Sequence, residues 1–354
     1  MRIGILTFHC AYNYGAMLQS YALQEFLLKE GYYVHILNYR PNYLASKEPK
    51  IRLRTFITRH PKRLIHWLFT WYSRSKKHFL VFKSFEDSYY QLMDFSCYKT
   101  LDCIIIGSDQ VWNKKYNGND PIWYGCLSED FIDKKIITYA ASAGNADINN
   151  IDIPEVIDYL KCISSILVRE KCIQDKLKEY SISSDLVLDP SLMANPSLWE
   201  KWYTPIRTDN YIITYQARED ENVFRIAKSI AQQLDCKIIT MDGYGSSFNS
   251  FSEHVDASPD QFVSLIKNAK CVITTSFHGT AFSLITNTPF YTLKLNDGAD
   301  GRATNLLEQV GLIDRLIDKE LTPIFSTIDF SNSDNVLDHI RKESQTYLLK
   351  ALQK

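Results

Sequence analysis

The feature that most constrains this chain is a repeated alternation of short apolar runs with amphipathic stretches. "IGILTF" reads as a buried strand, "HCAYNYG" as a polar loop, and "AMLQSYALQEFLLKE" as a helix with Leu18, Ala22 and Phe26 at i+4 spacing. Gly31 ends that helix and "YVHILNY" is the next strand. "LDCIIIG", "KKIITYAAS", "SSILV" and "DLVLD" follow, each closing in small or polar residues. Such a pattern predicts a parallel, doubly wound sheet. It pauses at "DPSLMANPSLWEKWYTP", which carries three prolines, and then restarts. "NYIITYQ", "CKIITMD", "CVITT" and "FYTLKL" are strands, "ENVFRIAKSIAQQL" and "SPDQFVSLIKNAK" helices, the last opening with Ser258 as N-cap and Pro259 at its first position. The expected architecture is therefore α/β with two Rossmann-like domains facing a cleft. Their boundaries fall at 1–190 and 210–325, with a linker over 191–209 and a closing helix over 326–354.

A length of 354 residues suits two cores, and 45% apolar with 23% charged residues is a globular profile without long disordered arms. The eight cysteines include no C-x-x-C pair, so a structural zinc site is not expected, and no residue is assigned to a metal. Free thiols imply the cytoplasm. "MRIGILTFHC" is too short in its apolar part for a signal segment, and no run approaches the 18 apolar residues of a membrane span.

Four strand-to-helix turns carry candidate chemistry, because the carboxyl edge of an open α/β sheet is where ligands bind. In "SFHGTAF", His278 stands where a strand meets a helix. Gly279 allows an anion close to the backbone, Ser276 and Thr280 add hydroxyls, and the helix start offers free amides and a positive dipole end. The plainer alternative is that His278 only caps the turn. In "IIIGSDQVWN", Asp109 can accept a proton or a sugar hydroxyl and Trp112 can serve as a platform for a sugar ring, beside Gln110; otherwise Asp109 is an N-cap and Trp112 core. In "FHCAYNYGAMLQ", Asn13, Tyr14 and Gln19 suit a hydroxyl-rich ligand, and the dinucleotide fingerprint G-x-G-x-x-G is absent. In "SSILVREK", Arg169 offers a bidentate partner for carboxylate or phosphate, or else pairs with Glu170. A further loop, "LNDGADGRATN", places Arg302 near two glycines, Asp297 and Asp300, without calcium-loop spacing.

"GILTFHCAYNYGAMLQSYALQ", "IIIGSDQVWN", "YAASAG", "SILVREK", "LVLDPSL" and "TTSFHGTAFSLITNTPF" occur in this order. Together they resemble the polysaccharide pyruvyl transferase family over about residues 1 to 310. The resemblance implies a fold like the two-domain GT-B glycosyltransferases, with the last helix crossing back to the first domain. It also implies transfer of a pyruvyl group from phosphoenolpyruvate to a sugar, giving a cyclic ketal and phosphate. The donor is itself a substrate, so no cofactor is implied, and a divalent-metal requirement is left open. His278 matches the family's histidine near the donor. Where some relatives carry Arg two positions earlier, this chain has Ser276, so a cation must come from Arg169 or Arg302, with Lys294 and Arg218 as lesser candidates. His278 and Asp109 are the expected proton-transfer pair; Arg169, Ser276, Gly279, Thr280 and Arg302 would hold the donor; Asn13, Tyr14, Gln110 and Trp112 would meet the acceptor.

Charge is uneven. The chain has a formal net charge of −1, yet residues 47–83 hold eleven Lys/Arg against one acid, Glu48, with Trp67, Phe69, Trp71, Tyr72, Phe79 and Phe82 among them. A basic aromatic helix suits peripheral contact with an anionic membrane, here the inner face of the cell membrane, where lipid-linked saccharide acceptors lie. The alternative is a solvated face over a packed helix. The same ingredients suit single-stranded nucleic acid, which is not the expected partner. Two other functions stay open on the sequence: a nucleotide-sugar-dependent glycosyltransferase of GT-B type, and a non-catalytic saccharide-binding protein.

Overall fold

The computed structural model describes residues 1–47, 73–127, 134–144, 151, 153–242, 252–296 and 300–353. Its first half carries β1 (Arg2–Leu6), α1 (Tyr14–Lys29), β2 (Tyr33–Asn38), α2 (Ser73–Tyr89), β3 (Leu92–Asp94), β4 (Cys103–Ile106), α3 (Lys114–Asn117), β5 (Lys135–Ala141), α4 (Pro154–Lys161), β6 (Ser165–Val168), α5 (Lys171–Glu179) and β7 (Asp185–Leu186). Two short helices, α6 (Pro190–Met193) and α7 (Ser197–Glu200), lead onward. The second half carries β8 (Tyr211–Gln216), α8 (Asn222–Leu234), β9 (Lys237–Asp242), β10 (Glu253–His254), α9 (Pro259–Asn268), β11 (Val272–Thr274), α10 (Phe277–Ile285), β12 (Phe290–Lys294), α11 (Gly301–Gln309), β13 (Leu316–Asp318) and α12 (Ser331–Gln353).

The strands form two sheets, ordered β3-β2-β1-β4-β5-β6-β7 and β10-β9-β8-β11-β12-β13. Pairing between neighbouring strands is parallel in both. Each order reverses direction after its first strand, the doubly wound arrangement. Parallel strands covered on both faces need continuous apolar sequence, and "CIII" of β4 is buried at all four positions. The reversal points fall between β1 and β4 in one sheet and between β8 and β11 in the other. The loops that leave those four strands include the turns at Asn13, Asp109, Arg218 and Ser276.

Aromatic packing joins the halves. Tyr14 of α1 stacks on Phe262 of α9, with ring centroids 4.3 Å apart and planes 15° from parallel. Phe262 meets Phe282 edge-on at 5.7 Å, and Trp199 of α7 meets Phe282 at 5.0 Å. The Tyr14 hydroxyl donates to Ala257 O at 3.1 Å. α12 lies against the first half: Arg341 Nε donates to Leu192 O at 3.0 Å, Gln345 Nε2 to Met193 O at 2.9 Å, and Lys135 Nζ to Leu352 O at 2.7 Å.

Most of the basic segment, residues 48–72, lies outside the described residues. Of its described end, Phe82 is buried between the rings of Tyr12 and Tyr14 and belongs to the core, not to an outward apolar face. Among the described residues no helix is long and apolar enough to cross a membrane. All eight cysteines are free thiols.

His9, on the loop after β1, is fully buried, with Nδ1 3.3 Å from Thr7 O and Nε2 3.3 Å from Asn38 Oδ1. Burial, helped by the Arg40 guanidinium, pushes its imidazole down to about 4. The unfolded chain therefore takes up a proton that the folded chain refuses. The stability contribution is complete above about pH 6.5 and is lost as pH falls towards 4, with a limiting slope of about 1.4 kcal/mol per unit. Urea midpoints at pH 7 and pH 5 are expected to show this loss. It should shrink in His9→Asn, and equal loss in both proteins would refute the assignment.

Candidate active site

The second sheet sets the central side chain. β11 ends at Thr274, Ser276 takes the extended N-cap position of α10 (φ −102°, ψ 134°), and His278 follows in the first turn. Thr280 N–H closes the first helical bond on Ser276 O at 3.1 Å, so the amides of Phe277, His278 and Gly279 lie ahead of the ladder at the positive end of the dipole. His278 is 8% exposed. Its ring rests on α1 of the first half: a Cβ added to Gly15 would stand 2.1 Å from Nδ1 and 2.4 Å from Cγ. Glycine at 15 is therefore a condition for the imidazole's position. Gly15→Ala is expected to cost about 1–3 kcal/mol by overpacking, read as a lower denaturation midpoint. An unchanged midpoint would mean that the ring yields freely.

The other ring edge faces a carboxylate. His278 Nε2 lies 3.6 Å from Asp189 Oδ2, within ion-pair range but long for a hydrogen bond. Asp189, with its side chain fully buried, is the N-cap of α6 and accepts from Ser191 N at 3.0 Å and from Arg169 Nη1 at 2.7 Å. Burial alone would raise this carboxyl, but the His278 imidazole, the Arg169 guanidinium and the Ser191 hydroxyl hold it well below the usual carboxylate range. Arg169, directly after β6, also gives Nε to Glu170 Oε1 at 3.1 Å, and Glu170 Oε1 accepts from Ser142 Oγ at 2.7 Å. Against the cost of its burial, Glu170, Asp189 and Asp109 hold Arg169 more firmly charged than an ordinary arginine.

Two guanidiniums converge on one ring. Arg169 stands 5.1 Å and Arg302, in the first turn of α11, 5.7 Å from the Phe277 centroid. Burial and the adjoining Arg169 charge make Arg302 easier to deprotonate than usual. Several enclosed polar atoms in this region have no hydrogen-bond partner among the described residues: Arg169 Nη2, Arg302 Nε, His278 Nε2, Glu170 Oε2 and Gln216 Nε2. Three of the five belong to basic side chains grouped around the start of α10. Buried polar groups in folded proteins are rarely left in this state.

Asp109 follows β4 with φ 71° and accepts from Gln110 N at 2.8 Å; its charge acts on both Arg169 and Arg302. Gln110 is half-buried, with Oε1 accepting from Asn113 Nδ2 at 2.8 Å. Asn13 is the N-cap of α1, its Oδ1 accepting from Ala16 N at 2.8 Å. Other expectations need correction. Trp112 is fully buried, donates Nε1–H to Trp123 O at 2.9 Å and stacks on Tyr124, so it is core and not a sugar platform. Tyr14 is likewise consumed by the packing between the halves. Thr280 spends its hydroxyl on Ser276 O and Thr292 Oγ1. Gly279 is required by packing, since a Cβ there would meet Thr274 Oγ1 at 2.2 Å. Arg218 binds Thr275 O at 3.1 Å and Asp300 Oδ1 at 2.9 Å, bracing the loop that precedes Arg302. Lys294 ends β12, half-buried. Asp297 lies outside the described residues. Among the described residues no group of three or more His, Cys, Asp or Glu is placed to hold a metal ion.

The sequence reading missed Asp189, placed where the strand–helix pattern pauses at the end of the first domain, and Glu170, taken only as a partner for Arg169. The capping pattern Asp189-Pro190-Ser191 was the available signal for the first; the second had none beyond its place at the end of a strand.

Two Rossmann-like domains with a polar cluster between the carboxyl ends of their strands define a GT-B-type protein. In fold the chain is similar to the UDP-GlcNAc 2-epimerase of Methanocaldococcus jannaschii, solved with UDP-GlcNAc and UDP, at TM-score 0.50 and 13% identity over 100% of this chain and 99% of that one. It is also similar to the UDP-GlcNAc 2-epimerase of Neisseria meningitidis bound to UDP-GlcNAc, at TM-score 0.49 and 9% identity over 100% of both chains. No curated protein sequence matches significantly. A family model described as polysaccharide pyruvyl transferase matches residues 13–297, and the chain belongs to that family.

Proposed function

We propose that this transferase moves a pyruvyl group from phosphoenolpyruvate to two hydroxyls of a saccharide, forming a cyclic ketal and releasing phosphate. The observation that carries the reading is the pair of buried guanidinium nitrogens without a hydrogen-bond partner among the described residues, Arg169 Nη2 and Arg302 Nε, around the first turn of α10 beside His278. Enclosed donors of this kind, at the positive end of a helix, suit a small anion with carboxylate and phosphate groups. Family membership supplies the reaction class.

The reaction adds one hydroxyl across the donor's double bond. A C–O bond forms at C2, C3 takes a proton, and the hydroxyl gives one up. The second hydroxyl then bonds to C2 as the C2–O bond to phosphate breaks, and its proton leaves with the phosphate. His278 and Asp109 share the proton transfers of the first step. Because Nδ1 rests on Gly15 and Nε2 is enclosed, the two halves must part to admit the donor, an ordinary hinge motion for two-lobed enzymes. The acceptor is a saccharide, lipid-linked on this reading, with the lysines and arginines of residues 47–83 drawing the enzyme to an anionic membrane surface.

The test is a thermal-shift series with phosphoenolpyruvate, nucleotide sugars and free oligosaccharides, followed by assays of phosphate release with the oligosaccharides. A ligand at 100 times its Kd stabilises by about 2.7 kcal/mol. Stabilisation by a nucleotide sugar and not by phosphoenolpyruvate would favour glycosyl transfer and end the present reading.

A further inference from the structure

The cluster holds more acid than an anion site needs. Arg169, its side chain 5% exposed, is gripped from two sides by carboxylates that are themselves buried: Asp189 at 0% and Glu170 at 2%. Asp189 Oδ2 takes Nη1 at 2.7 Å and Glu170 Oε1 takes Nε at 3.1 Å, while Nη2 has no hydrogen-bond partner among the described residues. Three acids, Asp189, Glu170 and Asp109, stand against two guanidiniums, Arg169 and Arg302, so the cluster holds one carboxylate beyond compensation. Glu170 Oε2, enclosed and without a hydrogen-bond donor among the described residues, adds negative potential that acts on Arg302 as well as Arg169. An anion seated on Nη2 is therefore attracted by the guanidinium and repelled by both acids behind it.

We propose that Asp189 and Glu170 are positioning residues that fix Arg169 from behind and, by their charge, keep phosphate bound weakly enough to leave. The inference rests on the reading that the cleft takes a phosphate-bearing donor. In that reaction phosphate is also a product, so the cations that receive the donor must let phosphate go. Uncompensated guanidinium and helix-end amides, enclosed away from water, would hold it too tightly. Two fixed negative charges lower that affinity without displacing any group that touches the substrate.

The experiment is calorimetric titration of the full chain with inorganic phosphate and with phosphoenolpyruvate, comparing wild type, Asp189→Asn and Glu170→Gln. Each amide keeps the shape and an acceptor oxygen while deleting one charge. Phosphate affinity is expected to rise about tenfold in each variant, the size of one charge several ångströms away at an intermediate dielectric after screening. Turnover should fall together with KM as phosphate release slows. A purely structural role predicts the opposite sign, a looser site that binds phosphate more weakly. Phosphate affinity equal to or below wild type in both variants would overturn the proposal. The two substitutions act on opposite sides of Arg169, so one that fails to fold leaves the other to decide. Should wild type bind neither ligand and neither amide variant gain phosphate binding, the donor reading falls and this proposal with it; donor binding in wild type without a gain in phosphate affinity in either variant overturns this proposal alone.

Discussion

His278→Gln is expected to lower turnover by about 10²–10⁴-fold, the usual worth of one positioned acid–base group. Glutamine fills much of the space of the imidazole between Gly15 and Asp189 but cannot exchange a proton near neutral pH. Arg169, Arg302 and the amides at the start of α10 are untouched, so KM for phosphoenolpyruvate should change little. The split between a large fall in kcat and a steady KM marks an interaction made in the transition state. Steady-state phosphate release, with melting curves to show that the fold persists, measures it. A kcat within tenfold of wild type would remove His278 from the chemistry and leave it as a packing residue between the halves.

The fold was legible because parallel strands buried on both faces must be apolar throughout, and "IGIL", "CIII", "KIITYAA" and "YIITYQ" are nearly so. Three of the four edge strands were not, the exception being β7 within "DLVLD". β3, β10 and β13 contain three, two and three residues, too few to display any period. They pair because the neighbouring strand offers a register, which is a property of the assembled sheet and not of their own sequence.

The site was legible where chemistry coincides with a strand end. His278, Arg169 and Asp109 each lie just past the end of a buried strand, and topology then carries all three to the carboxyl ends of the two sheets. Side-chain direction was not legible. Trp112 and Tyr14 also follow strands, but an aromatic residue after a strand reads the same whether it faces a cleft or a core. Only the assembled packing of Trp112 against Tyr124, and of Tyr14 against Phe262, decides it. Asp189 escaped for a related reason. Its partners Ser108, Arg169 and His278 lie 81, 20 and 89 residues away in the chain, and the last of these lies beyond the linker. No local pattern announces a carboxylate that acquires its role when two domains meet.

Arg169→Met should produce the largest loss of stability, about 3–5 kcal/mol, because it strips the cation from two buried carboxylates and leaves both uncompensated. It should also remove the charge-assisted contact to the donor, raising Kd for phosphoenolpyruvate by roughly 10- to 150-fold, the equivalent of about 1.5–3 kcal/mol. The two effects have different causes and can be separated. Adding Asp189→Asn to Arg169→Met removes one stranded charge, so the double variant should recover part of the stability and, of the donor affinity, only the share that the repulsion by Asp189 costs, not the contact made by Arg169. Arg169→Lys should restore less than full binding, since an ammonium cannot hold Asp189 and Glu170 in a fixed fork while presenting a third nitrogen to a ligand. Urea denaturation and calorimetric titration of the three variants read these quantities. If Arg169→Met melts like wild type, Asp189 and Glu170 are not stranded by the loss. They would then have to be protonated or solvated in the folded protein, contrary to their burial and to the low protonation tendency that His278 and Arg169 impose on Asp189.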